Sequence, residues 1–409
     1  MRVAIVGTGV AGLVVAHMLH GEHDITVFEA NDYVGGHVNT FPVALAGGKR
    51  AVDTGFIVYN EQNYPNFSSL LAKLGVETQP STMSFSVRCD RTGLEYNGST
   101  LRQLFAQKRN LFRPSFYRML REILRFNKNA SATTKQRRET GTLAEYLEQG
   151  QYSDEFVQQY LVPMGAAIWS IPSNRVLAMP ADFFIRFFHN HGMLTVNERP
   201  EWRVIRGGSR RYVDALTRPF ADRIRLHAPV KRVLRHDDRV EVDGETFDQV
   251  VFACHSDQAL ATLSDPSDAE RDILGAMPYQ ENHVVLHTDT SELPRHRKAW
   301  GAWNYRIQDL PESPVTVTYN MNILQSLEAP STFCVSLNAG DWIDPDRVLF
   351  RMRYDHPVYT VEGIEAQQRH GEISGVARTH YCGAYWGNGF HEDGVNSALA
   401  VGRAFGVSL

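Results

Sequence analysis

Three glycines and one acid near the N-terminus have the spacing that binds a dinucleotide. Gly7, Gly9 and Gly12 lie between a predicted strand and a predicted helix. A tight turn at the first, close approach of a pyrophosphate at the second and close helix–strand packing at the third each require a residue without a side chain. Glu29 follows the next predicted strand, 24–28, where its carboxylate can accept hydrogen bonds from a ribose diol. The pattern predicts a nucleotide whose phosphates face a helix N-terminus.

A second glycine pair, Gly35-Gly36, is followed by His37 and, three residues later, by a threonine. Here the chain resembles the flavin amine oxidase and phytoene desaturase superfamily, whose members carry a GG-R-x-x-[ST] segment against the FAD pyrophosphate. His37 stands where the family usually has arginine, which weakens a phosphate contact and leaves the class unchanged. The segment 53–56, Asp-Thr-Gly-Phe, is similar to the family's glycine strand beside the flavin ring. The resemblance implies FAD as the cofactor.

This resemblance implies an α/β fold with two domains that are interleaved along the chain. The first is a discontinuous FAD-binding domain of the Rossmann, glutathione-reductase type, expected from residues 1–75, 201–265 and 370–409. The second is a substrate domain of mixed sheet and helices, expected from residues 76–200 and 266–369.

The middle of the chain carries the next expected piece of the FAD domain. Residues 206–209, Arg-Gly-Gly-Ser, precede a helical stretch from Tyr212, and strands are predicted at about 228–233 and 240–242. In relatives the first of these strands presents a backbone amide to the adenine. The resemblance therefore implies that role for Val230.

The C-terminal segment 379–398 predicts a strand, a glycine loop and a helix capped near Asp393. In relatives the amides at this helix start face N1 and O2 of the flavin, where they stabilise the anion of the reduced ring. The resemblance places those amides at Asp393, Gly394 and Val395. The full set of implied cofactor-binding residues is Gly7, Gly9, Val10, Ala11, Gly12, Glu29, Ala30, Gly35, Gly36, His37, Thr54, Gly55, Phe56, Ile57, Val230, Asp393, Gly394 and Val395.

Longer segments resemble one bacterial branch of the superfamily, described as predicted flavin amine oxidases. That branch includes the fatty-acyl desaturase of furan-fatty-acid synthesis, whose genes lie beside those of lipid-methylating enzymes. The resemblance implies removal of hydride to flavin N5 from an unsaturated, methyl-branched acyl chain of phospholipid, and a lipid-methylating enzyme in the same pathway. It covers essentially the whole chain and is carried by residues 53–60, 79–87, 188–192, 354–359 and 382–387.

Desaturation also needs a base for the neighbouring proton. His391 and Glu392 are candidates because the C-terminal loop should bring them close to the flavin. His191, Tyr305 and Tyr354 are candidates from the substrate side. For His391 the alternative is a hydrogen bond within the loop, and for Glu392 it is an acidic residue in the first turn of a helix.

Other functions stay open at this level. An amine oxidase needs an aromatic cage, which Phe390 with Trp386 or Tyr359 could form, but no lysine falls in the segments that carry the resemblance. A redox-neutral double-bond isomerase would use the same residues, and a flavin-bound partner of a lipid enzyme needs no base. No second strand–GxGxxG–helix unit is found, so an NAD(P)H domain is not expected.

Two segments have both a membrane or substrate interpretation and a plain packing interpretation. Residues 101–138 hold eleven Lys and Arg against Glu122 alone, in a chain of net charge −4. A basic amphipathic helix of this kind can meet anionic lipid through Arg118, Arg121 and Arg125, or it can be a core-facing helix with a solvated back. Its apolar side is Phe116, Met119, Leu120, Ile123 and Leu124, and a second apolar stripe, Phe183, Phe184, Phe187 and Phe188, could line an acyl channel or form core.

Composition limits the remaining possibilities. A chain of 409 residues with 43% hydrophobic and 22% charged residues is globular, and its net charge of −4 argues against a nucleic-acid partner. Four scattered cysteines without CxxC spacing exclude a zinc ribbon or disulfide scaffold, so no metal site is predicted. The interrupted N-terminal apolar run and the lack of a spanning segment predict a cytoplasmic protein that can lie on the inner face of the cell membrane.

Overall fold

The computed structural model of the chain describes residues 1–45, 48–133, 141–195, 200–308 and 316–409. The chain forms two compact units, each built from separate stretches of sequence. The first unit consists of Met1–Gln79, Ile205–Pro278 and Tyr359–Leu409, and the second of Pro80–Val204 and Tyr279–Val358.

The strands are short and alternate with helices along the chain. In chain order they are β1 (Arg2–Val6), β2 (Asp24–Phe28), β3 (Thr40–Leu45), β4 (Gly48–Asp53), β5 (Val58–Asn60), β6 (Thr78–Pro80), β7 (Phe85–Cys89), β8 (Glu95–Asn97), β9 (Trp202–Ile205), β10 (Ile224–Arg225), β11 (Val233–Arg235), β12 (Val240–Val242), β13 (Glu245–Phe247), β14 (Gln249–Phe252), β15 (Tyr279–His287), β16 (Trp303–Ile307), β17 (Thr316–Asn320), β18 (Cys334–Leu337), β19 (Val348–Pro357) and β20 (Thr379–Tyr381).

The α-helices are α1 (Val10–Leu19), α2 (Pro65–Lys73), α3 (Leu101–Leu104), α4 (Pro114–Thr133), α5 (Leu143–Gln149), α6 (Asp154–Phe156), α7 (Val162–Trp169), α8 (Ser173–Ala178), α9 (Ala181–Asn190), α10 (Arg210–Thr217), α11 (Ser256–Thr262), α12 (Asp268–Gly275), α13 (Met321–Leu324), α14 (Val361–Gln368), α15 (His370–Ile373) and α16 (His391–Ala404). A π-helical turn covers Val157–Leu161. Short 3₁₀ helices cover Lys108–Phe112, Arg218–Arg223, Arg297–Ala299, Gly340–Trp342, Pro345–Arg347 and Ala384–Trp386.

The first unit is built on a parallel five-stranded sheet in the order β10-β2-β1-β14-β20. The central strand is buried on both faces, as its continuous apolar run predicts. Val3 and Ile5 pack in one apolar cluster with α1 and α16, while Ala4 and Val6 pack in the cluster on the other face. That second face is covered by the antiparallel sheet β11-β12-β13 and by α12.

Two expected boundaries are corrected by this packing. Residues 266–278 and 359–369 were expected in the substrate domain, but they belong to the first unit. The reason is burial, because Ile273, Leu274 and Ala366 pack in the cluster that contains strand β14.

The strand expected at 228–233 is also misplaced. Residues 228–232 are irregular, and β11 begins only at Val233. The backbone amides there bond elsewhere: Ala228 N–H donates to the Glu29 carbonyl at 2.8 Å, and Arg232 N–H donates to the Asp243 carboxylate at 2.8 Å. These bonds replace the ladder that the apolar pattern suggested.

The second unit is built on a mixed seven-stranded sheet in the order β19-β15-β18-β17-β16-β7-β8. Residues that pair directly across strands share a face, so the register separates the sheet into two chemically different faces. Ser86, Asn304, Thr318 and Ser336 lie on the polar face, where Ser86 donates to Asn304 at 2.7 Å and the Thr318 and Ser336 hydroxyls are 2.6 Å apart. The opposite face is apolar and aromatic.

Among the described helices, none has the combined length and apolar character that a membrane crossing requires.

Candidate functional site

The glycine turn after β1 has the backbone geometry that its glycines predict. Gly7 has φ of +106°, and its N–H donates to the Phe28 carbonyl at 2.8 Å. A Cβ on Gly12 would overlap the Gly7 carbonyl oxygen, so helix α1 can pack there only with glycine. A Cβ on Gly9, by contrast, would meet no atom within 4 Å. Gly9 therefore opens onto space at the start of α1, where a pyrophosphate would lie.

Glu29 is held in place by four hydrogen bonds within the first unit. One carboxylate oxygen accepts from the Thr8 N–H at 3.1 Å and from the Thr8 hydroxyl, and the other accepts from the Asn31 N–H at 2.9 Å and its side-chain amide at 2.8 Å. The Thr8 hydroxyl also accepts from Gly35 N–H at 3.2 Å. Thr8, which no sequence pattern indicated, thus joins the turn, the acid and the second glycine pair.

Helices α1 and α16 lie side by side and run in the same direction. A Cβ on Gly394 would lie 2.6 Å from Val10, and eight residues further along a Cβ on Gly402 would lie 2.8 Å from Met18. Because each pair advances together, the two N-termini are at the same end. Their positive dipole ends therefore reinforce each other at the place where Gly9 opens.

The start of α16 corrects the predicted cap. The helix begins at His391, with Phe390 as the preceding residue, and Gly394 N–H donates to the Phe390 carbonyl at 3.1 Å. The backbone amides without helical partners are therefore those of residues 391–393, two positions earlier than Asp393, Gly394 and Val395. Only Asp393 belongs to both sets.

Asp393 acts through its side chain as well as its backbone. Its carboxylate accepts from Phe390 N–H at 2.9 Å, which closes the first turn of α16. Burial raises the pKa of Asp393 to about 6. A carboxyl at this position thus changes protonation close to neutral pH.

The second glycine pair lies directly against the first. Gly35 and Gly36 have positive φ, and a Cβ on Gly36 would lie 3.2 Å from the Gly9 Cα. The next residue, His37, contributes its carbonyl, which accepts from Phe56 N–H at 3.0 Å and leaves no room for a side chain on Gly55. The structure therefore uses the backbone of His37, which any residue could supply, consistent with the loss of the family's arginine.

Asp53 connects this region to the start of α10. Its carboxylate accepts from the Thr40 hydroxyl at 2.5 Å and from Ser209 N–H at 2.8 Å. Complete burial raises the pKa of Asp53 to about 6. Thr54 N–H donates to the Asn39 carbonyl at 2.9 Å, and Ile57 is buried.

The Val230 backbone is compatible with its predicted role. Within the described residues its N–H has no hydrogen-bond acceptor, whereas the amides of Ala228, Lys231 and Arg232 are all bonded. Of the other residues predicted to bind the cofactor, Val10 and Ala11 open α1, and Ala30 follows Glu29. The residues present fit a flavin dinucleotide: the turn at Gly9 is open, the N-termini of α1 and α16 lie at the same end, and the Val230 amide has no acceptor in the described residues. No group of three metal-binding side chains occurs in the described residues.

His391 is a buried histidine surrounded by aromatic rings. Its ring stacks on Phe56 at 3.4 Å between centroids, and its Nε2 lies 2.9 Å from the Tyr212 hydroxyl. Burial lowers the pKa of His391 to about 3, so the imidazole is neutral. These contacts favour the structural role over the catalytic one.

The Glu392 carboxylate accepts hydrogen bonds from another helix of the first unit. One oxygen accepts from the Asn66 N–H and side-chain amide at 3.1 and 2.9 Å, and the other accepts from Phe67 N–H at 2.9 Å. These amides belong to the first turn of α2. The carboxylate thus caps α2, which weighs against its use as the base.

The remaining three candidates lie in the second unit, and two of them are well separated. Tyr305 on β16 and Tyr354 on β19 lie on the apolar face, but three strands stand between them, a separation of roughly 19 Å at ordinary strand spacing. Burial raises the pKa of Tyr305, whose hydroxyl is 3.4 Å from that of Ser173. His191 follows α9 and stacks on Phe187 at 3.9 Å, and burial lowers its pKa to about 4.

The aromatic stripe of α9 forms core. Phe183, Phe184 and Phe187 contact Trp169 with ring centroids 5.9, 5.6 and 4.7 Å away, and Phe188 stacks on Phe184 at 4.2 Å. All four phenylalanines are buried. The stripe is therefore explained by packing within the second unit.

Comparison with known proteins places this geometry in a family. Residues 10–291, more than two thirds of the chain, match the family described as flavin containing amine oxidoreductase. No curated protein sequence matches the chain.

Solved structures share the fold over nearly the full length. Cyclohexylamine oxidase from Brevibacterium oxydans IH-35A matches with a TM-score of 0.69 at 14% identity, covering 99% of both chains. A CLA-producing fatty acid isomerase from P. acnes matches with a TM-score of 0.70 at 14% identity, covering 99% of this chain and 98% of that one. Reduced UDP-galactopyranose mutase matches with a TM-score of 0.69 at 14% identity, covering 99% and 95%. The likeness confirms the predicted two-domain fold class, and the family match confirms the predicted superfamily.

Proposed function

The chain belongs to the flavin-containing amine oxidoreductase family, and we propose that within it the protein uses FAD to dehydrogenate an unsaturated, methyl-branched fatty acyl chain of phospholipid. An oxidoreductase with a flavin cofactor follows from the family. The identity of the cofactor as FAD and of the substrate as an acyl chain is the proposal.

FAD, rather than a mononucleotide, is supported by two groups that an adenosine half could engage. Glu29 follows β2, where the ribose is expected, and the Val230 amide has no acceptor within the described residues and could meet adenine. Gly9 leaves space for the pyrophosphate between these groups and the paired N-termini of α1 and α16. A mononucleotide would leave the first two without a ligand.

The apolar face of the seven-stranded sheet is the observation that carries the substrate assignment. Its described residues include no Asp, Glu, Lys or Arg, because the register places every such residue of these strands on the other face. The one histidine on this face, His356, has its Nδ1 2.9 Å from the side-chain amide nitrogen of Asn282. An ammonium substrate would find no carboxylate there, whereas an acyl chain needs only apolar contacts. The apolar and aromatic side chains of this face include Phe85, Val87, Tyr96, Val284, Leu286, Trp303, Tyr305, Val317, Tyr319, Val335, Leu337, Phe350, Met352 and Tyr354, and its polar side chains are Gln280, Asn282 and His356.

Different groups of the protein would act on the flavin and on the acyl chain. When bound, the flavin supplies the hydride acceptor for an allylic C–H, and a proton leaves the adjacent carbon as the second double bond forms. The dipoles of α1 and α16 favour negative charge at their shared end. Four tyrosine hydroxyls belong to the apolar face, those of Tyr96, Tyr305, Tyr319 and Tyr354. We propose Tyr305 and Tyr354, in place of His391 and Glu392, as the groups that meet the acyl chain and pass its proton on to water.

The fold is compatible with this assignment, since a fatty acid isomerase has it. An amine oxidase has it as well, so the fold alone does not choose between these substrates. The chemistry of the sheet face, which has no carboxylate, lysine or arginine in the described residues, favours the acyl chain.

The deciding experiment follows the visible flavin band under anaerobic conditions. Purified flavin-loaded protein is divided into three samples. The first receives vesicles that contain a methyl-branched monoenoyl phospholipid, the second receives vesicles of the saturated methyl-branched phospholipid, and the third receives cyclohexylamine. We expect bleaching only with the monoenoyl lipid, together with a diene product by mass spectrometry.

Other outcomes would overturn the proposal and point to a specific alternative. Bleaching by the amine alone would make the protein an amine oxidase. A shifted double bond without net bleaching would make it a redox-neutral isomerase. No change in flavin or lipid would leave a non-catalytic partner of a lipid enzyme.

A further inference from the structure

Exposed apolar side chains are concentrated at one place in the second unit. Five of the twelve large hydrophobic residues that are exposed in the described chain fall between positions 101 and 124. Phe112 is 86% exposed, more than any of the others. The five are Leu101, Leu111, Phe112, Tyr117 and Leu124.

Apart from Leu124, these residues do not belong to the apolar side that the helical pattern of α4 predicts. Phe116 and Met119 of that side are 2% and 0% exposed, because they face the interior of the second unit. Phe116 contacts Phe105 and Tyr96 with ring centroids 5.8 and 5.7 Å away. The core-facing interpretation of α4 is therefore right for this side, while Leu124, expected on it, is 59% exposed.

The outward side of α4 combines apolar and cationic groups. Tyr117, Arg121, Leu124 and Lys128 are spaced by four, three and four residues, so they form one stripe along the helix. The Tyr117 hydroxyl donates to the Leu111 carbonyl at 3.1 Å, which holds the 3₁₀ turn with Leu111 and Phe112 beside this stripe. We call the surface formed by Leu111, Phe112, Tyr117, Arg121, Leu124 and Lys128 the basic–apolar surface.

The arginines around this surface differ in what they bind. Arg118 forms an ion pair with Glu155 at 2.5 Å, and Arg125 lies 4.1 Å over the ring of Tyr152. Arg113 donates to the Thr92 carbonyl at 2.7 Å. Arg121 and Lys128 have no ion-pair partner in the described residues, so their charge is available to an external group. Lys135, Arg137 and Arg138 of the basic segment lie outside the described residues.

We propose that the basic–apolar surface docks on the headgroup region of an anionic lipid bilayer, with Phe112 inserted and Arg121 and Lys128 against lipid phosphates. Interleaved aromatic and cationic side chains match this environment, in which one layer is apolar and the next carries negative charge. The segment is basic in a chain whose total charge is −4, so an anionic membrane would also orient the protein with this surface towards it. The proposal does not depend on the substrate, although membrane docking would bring the protein to phospholipid.

Flotation with vesicles tests the surface without any turnover. Flavin-loaded wild type is incubated with vesicles of phosphatidylcholine alone and with vesicles of phosphatidylcholine and phosphatidylglycerol in equal amounts. We expect binding to the second kind only, weakened by salt. Each surface cation contributes about fivefold in affinity, so Arg121→Gln with Lys128→Gln should bind about 25-fold more weakly.

Phe112→Ser should bind about tenfold more weakly, as expected for the loss of one inserted aromatic side chain. The controls replace exposed residues elsewhere: Arg186→Gln, whose side chain is 55% exposed, and Val376→Ser, which is 52% exposed. Neither control should change binding.

Equal binding of the wild type to both vesicle types, or binding of the surface variants equal to that of the controls, would overturn the proposal. No binding to either vesicle would also overturn it. If flotation fails while monoenoyl lipid still bleaches the flavin, the docking surface is wrong and the proposed reaction stands.

Discussion

The carboxylate of Glu392 accepts the backbone N–H of Phe67 at 2.9 Å, across 325 residues of sequence. Its second oxygen accepts the N–H and side-chain amide of Asn66. Helix α2 begins at Pro65, so these amides belong to its first turn and have no acceptor within the helix. The first turn of α16 thus supplies the negative charge that α2 needs at its N-terminus.

Replacing this carboxylate should lower the free energy of unfolding and leave flavin reduction nearly unchanged. Glu392→Ala leaves the Phe67 amide buried without an acceptor, and we expect a loss of about 1–3 kcal/mol in the free energy of unfolding. Flavin reduction per folded, flavin-loaded molecule should stay close to wild type. Denaturant titration and anaerobic bleaching measure the two effects, with Glu365→Ala on the exposed side of α14 as the control. A large loss of reduction at unchanged stability would instead restore Glu392 as the base.

Gly9 and Gly21 form a matched pair for testing the phosphate turn. A Cβ at either position would meet nothing within 4 Å, so Gly9→Ala and Gly21→Ala should both fold. Only Gly9 lies where a pyrophosphate would approach the backbone, and Gly9→Ala should lower flavin affinity about tenfold or more, roughly 1.4 kcal/mol. Flavin content after dialysis compares the two variants. Equal flavin content would mean that the open space at Gly9 is not the pyrophosphate position.

Glu29 should bind FAD through its charge. Glu29→Gln keeps the shape but weakens hydrogen bonds to the ribose hydroxyls, and we expect an affinity for FAD about ten- to hundredfold lower. FMN, which lacks the adenosine ribose, should bind wild type and variant alike. Fluorescence titration with both flavins measures this, with Glu22→Gln as an exposed control. An equal loss for FMN would show that Glu29 acts on the fold rather than on the ribose.

The buried imidazole of His391 should make the protein sensitive to acid. Its pKa is lowered to about 3 by burial from an ordinary value of 6.5, so the unfolded chain binds a proton that the folded one does not between these pH values. The stability due to neutral His391 is therefore complete above pH 6.5 and falls by ~1.4 kcal/mol per pH unit as the pH decreases towards 3. Asp53 and Asp393, with pKa values raised to about 6, act in the opposite direction between about 4 and 6.

Comparing variants isolates the histidine from those carboxyls. His391→Phe keeps an aromatic ring on Phe56. The slope of its free energy of unfolding against pH, between pH 6.5 and 4, should be smaller than the wild-type slope by the contribution of one proton, ~1.4 kcal/mol per pH unit. Tyr212→Phe removes the 2.9 Å partner without removing the titrating group, so its slope should match wild type. Denaturant unfolding at several pH values gives both slopes. A wild-type slope in His391→Phe would mean that His391 is protonated in the folded state.

The cofactor turn could be predicted from sequence because its determinants are local. Gly7, Gly9 and Gly12 act on their own turn and helix, and each requirement is a backbone property that one missing side chain reveals. Glu29 could be predicted because it ends the adjacent parallel strand. The partner Thr8 was missed, since a hydroxyl inside a glycine turn has no distinguishing pattern.

The sequence pattern of α4 predicts that the segment is a helix, but it does not predict which of its side chains pack on the protein and which are exposed. Its apolar periodicity predicts a helix, and Phe116 and Met119 are indeed buried. Periodicity does not distinguish a side that packs on the same chain from one that meets lipid, because both remove the same side chains from water. Only the packed structure separates the buried Phe116 from the exposed Leu124 and Phe112.

The sequence by itself determined the family, the glycine turn after β1 and the strand–turn–helix unit that contains it. The turn and the unit depend on contacts between near neighbours in the chain. The tertiary structure decided what His391 and Glu392 do. Their partners, Tyr212 and Phe67, are 179 and 325 residues away, and no spacing rule connects such positions. A polar side chain beside a cofactor loop has the same identity whether it moves protons or caps a helix, and only the atoms packed around it distinguish the two.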